Sequence, residues 1–238
     1  MPTETLNVVV TGSSKGIGKA IAESFADDGH NLFLCARDSQ LLEGVIGDMQ
    51  KQFPGIIITG YPADLSLKPD VDKLAAAVLA KFPKVDILVN NAGEFLPGSI
   101  YNEEEGTMEK MLQSNLFSAY YITRALLPLM LTNKKGHIFN MCSIASLKAY
   151  DNGGSYSVSK FALMGFSKNL REELKPMNIK VTTVYPGAVY TSSWEGSGIT
   201  PERILEINDV AQMILAASKL SVQACVEEII IRPILGDV

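Results

Sequence analysis

The sequence predicts an α/β fold, a doubly wound three-layer sandwich in which helices cover both faces of a parallel sheet. Short β-branched apolar runs alternate with stretches of helical periodicity, a glycine-rich turn follows the first run, and polar residues follow several later ones. Repeated β then α units build a parallel sheet, because each crossover helix packs back onto it through a right-handed connection. We expect seven strands in the order 3-2-1-4-5-6-7.

Size and composition favour one domain. The 238 residues are 47% hydrophobic and 20% charged, with a net charge of −5. A chain of this length can bury a single core, so we expect residues 1–238 to form one domain. No apolar run approaches the roughly 18 residues that span a bilayer, and no signal-like segment begins the chain. These features predict a cytoplasmic protein without a membrane partner, and the lack of basic clusters argues against a nucleic-acid partner.

The first β–α unit surrounds the glycine-rich turn. Residues 6–10 are an apolar run, residues 11–18 read TGSSKGIG, and apolar residues then recur at helical spacing from Ile17 to Phe25. Such a junction aims backbone N–H groups and a helix N-terminus at an anion, and glycine lets a pyrophosphate approach closely. The pattern favours nucleotide binding over a purely structural turn.

The later units follow in order. The predicted strands are 31–36, 56–61, 87–89, 137–142, 180–184 and 225–231. The predicted helices are 39–52, 71–82, 107–131 with a kink at Pro128, one that carries Tyr156, and one before the last strand. Since ligands bind at the carboxyl ends of parallel strands, we expect the polar residues after the strands to face one cleft.

The sequence YSVSK at 156–160 is the stretch with the clearest chemical use. Tyr156 and Lys160 lie four residues apart, so a helix places both side chains on one face. A free phenol has a pKa of about 10, and moving it towards 7 favours phenolate by about 4 kcal/mol, which a close ammonium can largely supply. Such a phenol can transfer protons. The alternative is a solvated helix face that carries this spacing by chance.

Together these motifs resemble the short-chain dehydrogenases/reductases over nearly the whole chain. The matching features are TGSSKGIG at 11–18, NNAG at 90–93, Asn115, Ser143, YSVSK at 156–160 and PGAVYT at 186–191. The resemblance implies a Rossmann-type dinucleotide-binding and catalytic domain. The catalytic roles that it implies are Tyr156 as proton donor, Ser143 as the partner of the substrate oxygen, Lys160 as the ligand of the nicotinamide ribose that also depresses the tyrosine pKa, and Asn115 as the holder of a relay water. From its pattern alone, Asn115 has the alternative of bonding its own helix backbone.

The resemblance also implies a set of cofactor-binding residues. They are Gly12, Ser14, Lys15, Gly16, Ile17, Gly18, Arg37, Asp64, Leu65, Asn91, Ala92, Gly93, Tyr156, Lys160, Pro186, Gly187, Val189 and Thr191. The second strand ends with Ala36, where NAD-binding chains normally place an acidic residue. Arg37 and Lys15 would instead place cations near a 2′-phosphate, which predicts NADP(H). The alternative is that Asp38 serves as the acidic residue for NAD(H).

We therefore expect an NADP(H)-dependent oxidoreductase that reduces a small ketone or dicarbonyl to an alcohol. Residues 189–194 and 227–237 also resemble the sepiapterin-reductase-like branch. One alternative is a 3-oxoacyl-acyl-carrier-protein reductase-like enzyme, which needs a basic docking patch for its acidic carrier. A non-catalytic nucleotide sensor is the alternative from another class. In the short connection after Gly187, Trp194 either forms an aromatic wall of the substrate site or packs against the protein's own surface.

Three further features carry expectations. Glu94 departs from the family pattern of a small or apolar residue after NNAG, and it is either an exposed loop carboxylate or a contact for the substrate. Both faces of the Tyr156 helix are apolar, the second through Val158, Phe161 and Phe166, which predicts a homodimer or homotetramer unless the chain's own loops cover that face. The scattered cysteines predict buried thiols and no metal site.

Overall fold

The strands form one parallel sheet in the computed structural model, which describes residues 4–191, 194 and 198–237. They are β1 (Asn7–Thr11), β2 (Asn31–Ala36), β3 (Ile58–Pro62), β4 (Ile87–Asn90), β5 (Gly136–Met141), β6 (Ile179–Pro186) and β7 (Glu228–Ile231). Within the described ranges the sheet has seven strands in the order β3-β2-β1-β4-β5-β6-β7, and each neighbouring pair is parallel. The predicted fold class and strand order are confirmed.

Helices cover both faces of this sheet. They are α1 (Gly16–Asp27), α2 (Ser39–Gln52), α3 (Lys68–Lys81), α4 (Thr107–Leu112), α5 (Ser118–Leu131), α6 (Gly154–Leu174) and α7 (Ile207–Ser218). No helix among the described residues has the length and apolarity to cross a membrane.

The core lies in two layers, one on each face of the sheet. In β1, Val8 and Val10 pack with the apolar residues of α1, α2 and α7, whereas Val9 between them packs with those of α3, α5 and α6. This alternation follows from the two-residue period of a strand. Burial of each large apolar side chain stabilises the fold by about 1.5–3 kcal/mol. The two core layers therefore hold the strands, and with them the carboxyl edge of the sheet, in place.

The structure is helical over the predicted range 107–131, but it contains a π-helical turn that the sequence did not predict. Between α4 and α5 the residues Gln113–Phe117 form a π-helical turn. Pro128 was the expected irregularity, yet α5 continues through it to Leu131. A π-helical turn inserts a bulge that frequently marks a functional site, and here the bulge carries Asn115, which is only 1% exposed.

Candidate active site

Asn115 joins the π-helical turn to two other parts of the molecule. Its Oδ1 accepts a hydrogen bond from the backbone N–H of Glu94 at 2.7 Å, and its Nδ2 donates to the backbone oxygen of Glu94 at 3.0 Å. Nδ2 also donates to Ser159 Oγ at 2.9 Å. The Asn115 side chain therefore bonds to tertiary partners and not to its own helix backbone, which excludes that alternative. Its role as the holder of a relay water stays a prediction.

Ser159 links Asn115 to the helix that carries the tyrosine. Its hydroxyl donates to the backbone oxygen of Tyr156 at 2.7 Å while it accepts from Asn115. Ser159 is fully buried. Sequence reasoning did not select this residue, although it lies within the YSVSK motif, because a serine inside a helix is compatible with many roles.

Lys160 lies on the same face of α6 as Tyr156, as its spacing predicts. Its Nζ donates to the backbone oxygen of Met141 at 2.8 Å and lies 5.8 Å from the centroid of the Tyr156 ring. The side chain is 7% exposed. Burial lowers the pKa of Lys160, because an ammonium loses its hydration there.

The Tyr156 phenol is held between aromatic and polar neighbours. Its ring packs edge to face against Phe95, with 4.8 Å between the centroids. Burial raises the pKa of Tyr156, and the nearby hydroxyl of Ser143 lowers it by a smaller amount. The sequence argument expected a lowered pKa from Lys160. In the structure the net direction is upward, because desolvation of the phenolate outweighs the favourable contacts.

The glycine turn after β1 is braced by the residues that follow β4. Gly12 has a φ of +64°, and a Cβ on Gly18 would lie 2.2 Å from the Gly12 carbonyl oxygen, so both positions need glycine. Asn91 Nδ2 donates to the carbonyl oxygens of Thr11 and Gly12, each at 3.0 Å. Thr11 Oγ1 accepts the backbone N–H groups of Asn91 and Ala92, also at 3.0 Å. Thr11 is a further residue that sequence reasoning did not select.

The remaining predicted cofactor residues lie along the carboxyl edge of the sheet. Ser14, Lys15 and Ile17 stand at the turn and the start of α1, Arg37 follows β2, and Asp64 and Leu65 follow β3. Pro186 ends β6, the Gly187 N–H donates to the Ile231 oxygen at 2.8 Å, and Val189 pairs with Leu205.

Comparison with known proteins agrees with this arrangement. A family model described as short chain dehydrogenase matches residues 6–200. The chain belongs to the short-chain dehydrogenase family. The predicted resemblance is confirmed, and with it the assignment to the oxidoreductases that this family comprises.

Named relatives of this short-chain dehydrogenase cover its whole fold. A sepiapterin reductase of Chlorobaculum tepidum is 31% identical, with 97% of each chain covered. Among solved structures, the alcohol dehydrogenase of the archaeon Thermococcus sibiricus complexed with 5-hydroxy-NADP has 27% identity, a TM-score of 0.89 and 97% coverage of both chains. The L-sorbose reductase of Gluconobacter frateurii complexed with NADPH and L-sorbose has 26% identity, a TM-score of 0.88 and 95% coverage of both chains.

The residues of this short-chain dehydrogenase fit a dinucleotide at the glycine turn. Gly16 has a φ of +57° and opens α1. Thr191 returns to the same place, because a Cβ on Gly16 would lie 3.7 Å from its methyl group. Backbone N–H groups at a helix start suit a pyrophosphate. The described residues hold no cluster of His, Cys, Asp and Glu that suits a metal ion.

Arg37 and Glu94 form an ion pair that the sequence did not predict. Arg37 Nη1 lies 2.5 Å from Glu94 Oε1, and Lys110 Nζ lies 3.6 Å from Oε2. The Glu94 side chain is only 19% exposed, so neither an exposed loop carboxylate nor a free substrate contact describes it. Asp38 caps α2, because its side chain accepts the Leu41 N–H at 3.0 Å.

The connection after Gly187 is described in part. The Trp194 N–H donates to the Thr191 oxygen at 3.0 Å. Residues 192–193 and 195–197 lie outside the described residues. The aromatic wall at Trp194 stays a prediction.

Proposed function

We propose that this short-chain dehydrogenase uses NADPH to reduce a small ketone or dicarbonyl to an alcohol, with Tyr156 as the proton donor. One observation carries the proposal. The buried chain of hydrogen bonds from Asn115 through Ser159 to the backbone oxygen of Tyr156, with Lys160 on the same helix face, stands at the edge of the sheet that holds the glycine turn. This network supports a catalytic role for Tyr156, because it fixes the first turn of the helix that carries the phenol.

The proposed mechanism divides the work between the cofactor and the chain. When bound, the nicotinamide supplies the hydride. Ser143 donates a hydrogen bond to the substrate oxygen and orients the carbonyl. Tyr156 transfers its proton to that oxygen, and its raised pKa keeps the phenol protonated at neutral pH, the form that a reduction requires. Lys160 would bind the nicotinamide ribose. Asn115 would hold the relay water through which Tyr156 regains its proton.

The choice of NADPH over NADH rests on the end of β2. Ala36 leaves no carboxylate to bond the ribose hydroxyls, and Arg37 follows it with a side chain that is 61% exposed. Asp38, the alternative partner for the ribose of NAD(H), already uses one carboxylate oxygen to cap α2. Structural neighbours with bound NADP and NADPH support the same choice.

A small substrate is favoured over a carrier-bound one by the charges near the site. A docking patch would draw on Lys148, Lys168, Arg171 and Arg203, and three of these four have local partners. Lys168 pairs with Glu228, Arg171 pairs with Glu172, and Arg203 donates to the backbone oxygens of residues 236 and 237. An acidic carrier protein needs several unpaired cations together. The similarity to a sepiapterin reductase also favours a compact dicarbonyl.

The decisive experiment compares Tyr156→Phe with Tyr101→Phe in an NADPH-consumption screen. The panel contains small diketones, sepiapterin and acetoacetyl thioesters. We expect kcat of Tyr156→Phe to fall by about 10³-fold, within the range that proton transfer contributes, while its Kd for NADPH stays within about twofold. Tyr101 is 88% exposed, so Tyr101→Phe is the matched control and should retain its rate.

Three results would contradict the proposal. Wild-type rates in Tyr156→Phe would remove the tyrosine from the chemistry. NADPH binding without turnover of any compound would favour the nucleotide sensor. Turnover of the thioesters alone would favour the carrier-protein reductase.

We also propose that the protein is a homodimer or homotetramer, assembled through α5 and α6. Val158 and Phe161 on α6 are 38% and 39% exposed, and Phe117 at the start of α5 is 36% exposed. Large apolar side chains on neighbouring helices form a surface that a second copy would bury. Light scattering at micromolar concentration should give at least twice the chain mass, and Phe161→Glu should reduce it. A monomeric wild type would refute the assembly.

A further inference from the structure

The guanidinium assigned to the 2′-phosphate already has a carboxylate partner. Arg37 Nη1 lies 2.5 Å from Glu94 Oε1, and this carboxylate is largely shielded from water. Lys110 approaches its other oxygen at 3.6 Å. Glu94 therefore sits where a second anion must arrive if Arg37 binds a phosphate.

The backbone of Glu94 is held in place, so its carboxylate starts from a fixed point. Asn115 accepts from its N–H at 2.7 Å and donates to its carbonyl oxygen at 3.0 Å. The next residue, Phe95, packs edge to face on the Tyr156 ring. The pair can therefore separate only through its two side chains, and any such movement gives up the ion pair.

We propose that Glu94 sets the cofactor selectivity by competing with the 2′-phosphate for Arg37. This inference rests on the proposed function, in which Arg37 reads that phosphate. NADPH must either open the Arg37–Glu94 pair, which gives up its attraction, or bring a phosphate close to a carboxylate, which costs free energy because like charges repel. NADH lacks the phosphate and leaves the pair intact. The wild-type preference for NADPH is then weaker than Arg37 alone would produce.

The test measures the Kd of NADPH and NADH by cofactor fluorescence in wild type, Glu94→Gln, Arg37→Gln and the double variant. Glutamine keeps the shape of Glu94 and removes its charge. We expect Glu94→Gln to bind NADPH about tenfold more tightly, a change of about 1.4 kcal/mol, and NADH within about twofold of wild type. In the Arg37→Gln background, Glu94→Gln should tighten NADPH binding by less than about threefold, because the guanidinium for which the carboxylate and the phosphate compete is then absent.

Asp38→Asn is the matched control. It removes the same charge from the residue next to Arg37, and asparagine caps a helix as well as aspartate does. Its Kd for NADPH should stay within about twofold of wild type. An equal gain in Asp38→Asn would show a general charge effect and overturn the inference, as would an unchanged or weaker NADPH affinity in Glu94→Gln, or a full gain that persists without Arg37.

The same measurements separate this inference from the proposed function. If Arg37→Gln weakens NADPH binding but Glu94→Gln leaves the Kd of NADPH unchanged, only the competition between Glu94 and the phosphate is refuted. If wild type binds NADH more tightly and Arg37→Gln changes neither Kd, the 2′-phosphate assignment and the inference both fall. Thermal melting of each variant verifies that it is folded.

Discussion

The two ends of the candidate site are built in opposite ways. At the catalytic end, Asn115 and Lys160 are 1% and 7% exposed, and their contacts are buried hydrogen bonds to Ser159 and to the Met141 backbone oxygen. At the end assigned to adenosine, the contacts are ion pairs around Arg37, which is 61% exposed. Buried hydrogen bonds are costly to break, whereas exposed charge pairs contribute little to stability. The first end should therefore tolerate little change, and the second should be adjustable by single charges.

The largest effect that would sharpen this comparison is expected from Asn115→Leu. The substitution keeps the approximate volume but leaves the backbone N–H and carbonyl of Glu94 without their partner, and it removes one of the two hydrogen bonds of the Ser159 hydroxyl. Each unsatisfied buried group costs about 1–3 kcal/mol. We expect the free energy of unfolding to fall by about 3 kcal/mol and kcat to fall by about 100-fold, measured by urea unfolding and by NADPH consumption.

Asn169→Leu is the control for Asn115→Leu. Asn169 lies on α6 and donates to the Gly165 carbonyl oxygen at 2.9 Å in an exposed position. Its replacement should change stability by less than about 0.5 kcal/mol. If both asparagine variants lose the same stability, the catalytic end is no more sensitive than the surface, and the comparison fails.

Much of this structure was accessible from the sequence. The bounds of β2 and α2 were predicted as the structure has them, because an apolar run and the helical stretch after it are local signals. The strand order follows from the chirality of β–α units. The convergence of Asn115, Ser143 and Tyr156 at one edge follows in turn from the parallel strands and from the family resemblance.

The features that the sequence did not predict depend on tertiary contacts. The π-helical turn carries Asn115, whose side chain is hydrogen-bonded to the backbone of Glu94, 21 residues away in the chain. The partner of Arg37 follows β4, which is separated in the sheet by β1 from the strand that Arg37 follows. The upward shift in the pKa of Tyr156 comes from burial, which a helical spacing of tyrosine and lysine does not reveal. Local patterns contain no information on these distances.

Residues 94–106 form most of the connection between β4 and α4, and they join the two ends of the site. Glu94 contacts both Arg37 and Asn115. The Gly98 N–H donates to the oxygen of Asn152, just before α6, at 3.0 Å. Near its end, the Glu103 carboxylate accepts the backbone N–H of Ser155 at 2.7 Å and the Ser155 hydroxyl. The residue after Ser155 is Tyr156, so this connection helps to position the tyrosine.

The smallest effect is expected from Glu103→Gln, which tests that link. The carboxylate lies at the N-terminus of α6, where a negative charge stabilises a helix by about 0.3–1 kcal/mol. Glutamine has one acceptor oxygen, so it cannot serve both donors of Ser155 in the same way. We expect kcat to fall about threefold and the free energy of unfolding by about 1 kcal/mol, with the Kd for NADPH unchanged. Glu104→Gln, at the exposed neighbouring residue, should leave all three quantities unchanged. A weaker NADPH affinity without a change in kcat would mean that Glu103 acts on the adenosine end, and the link from the 94–106 connection to Tyr156 would then be wrong.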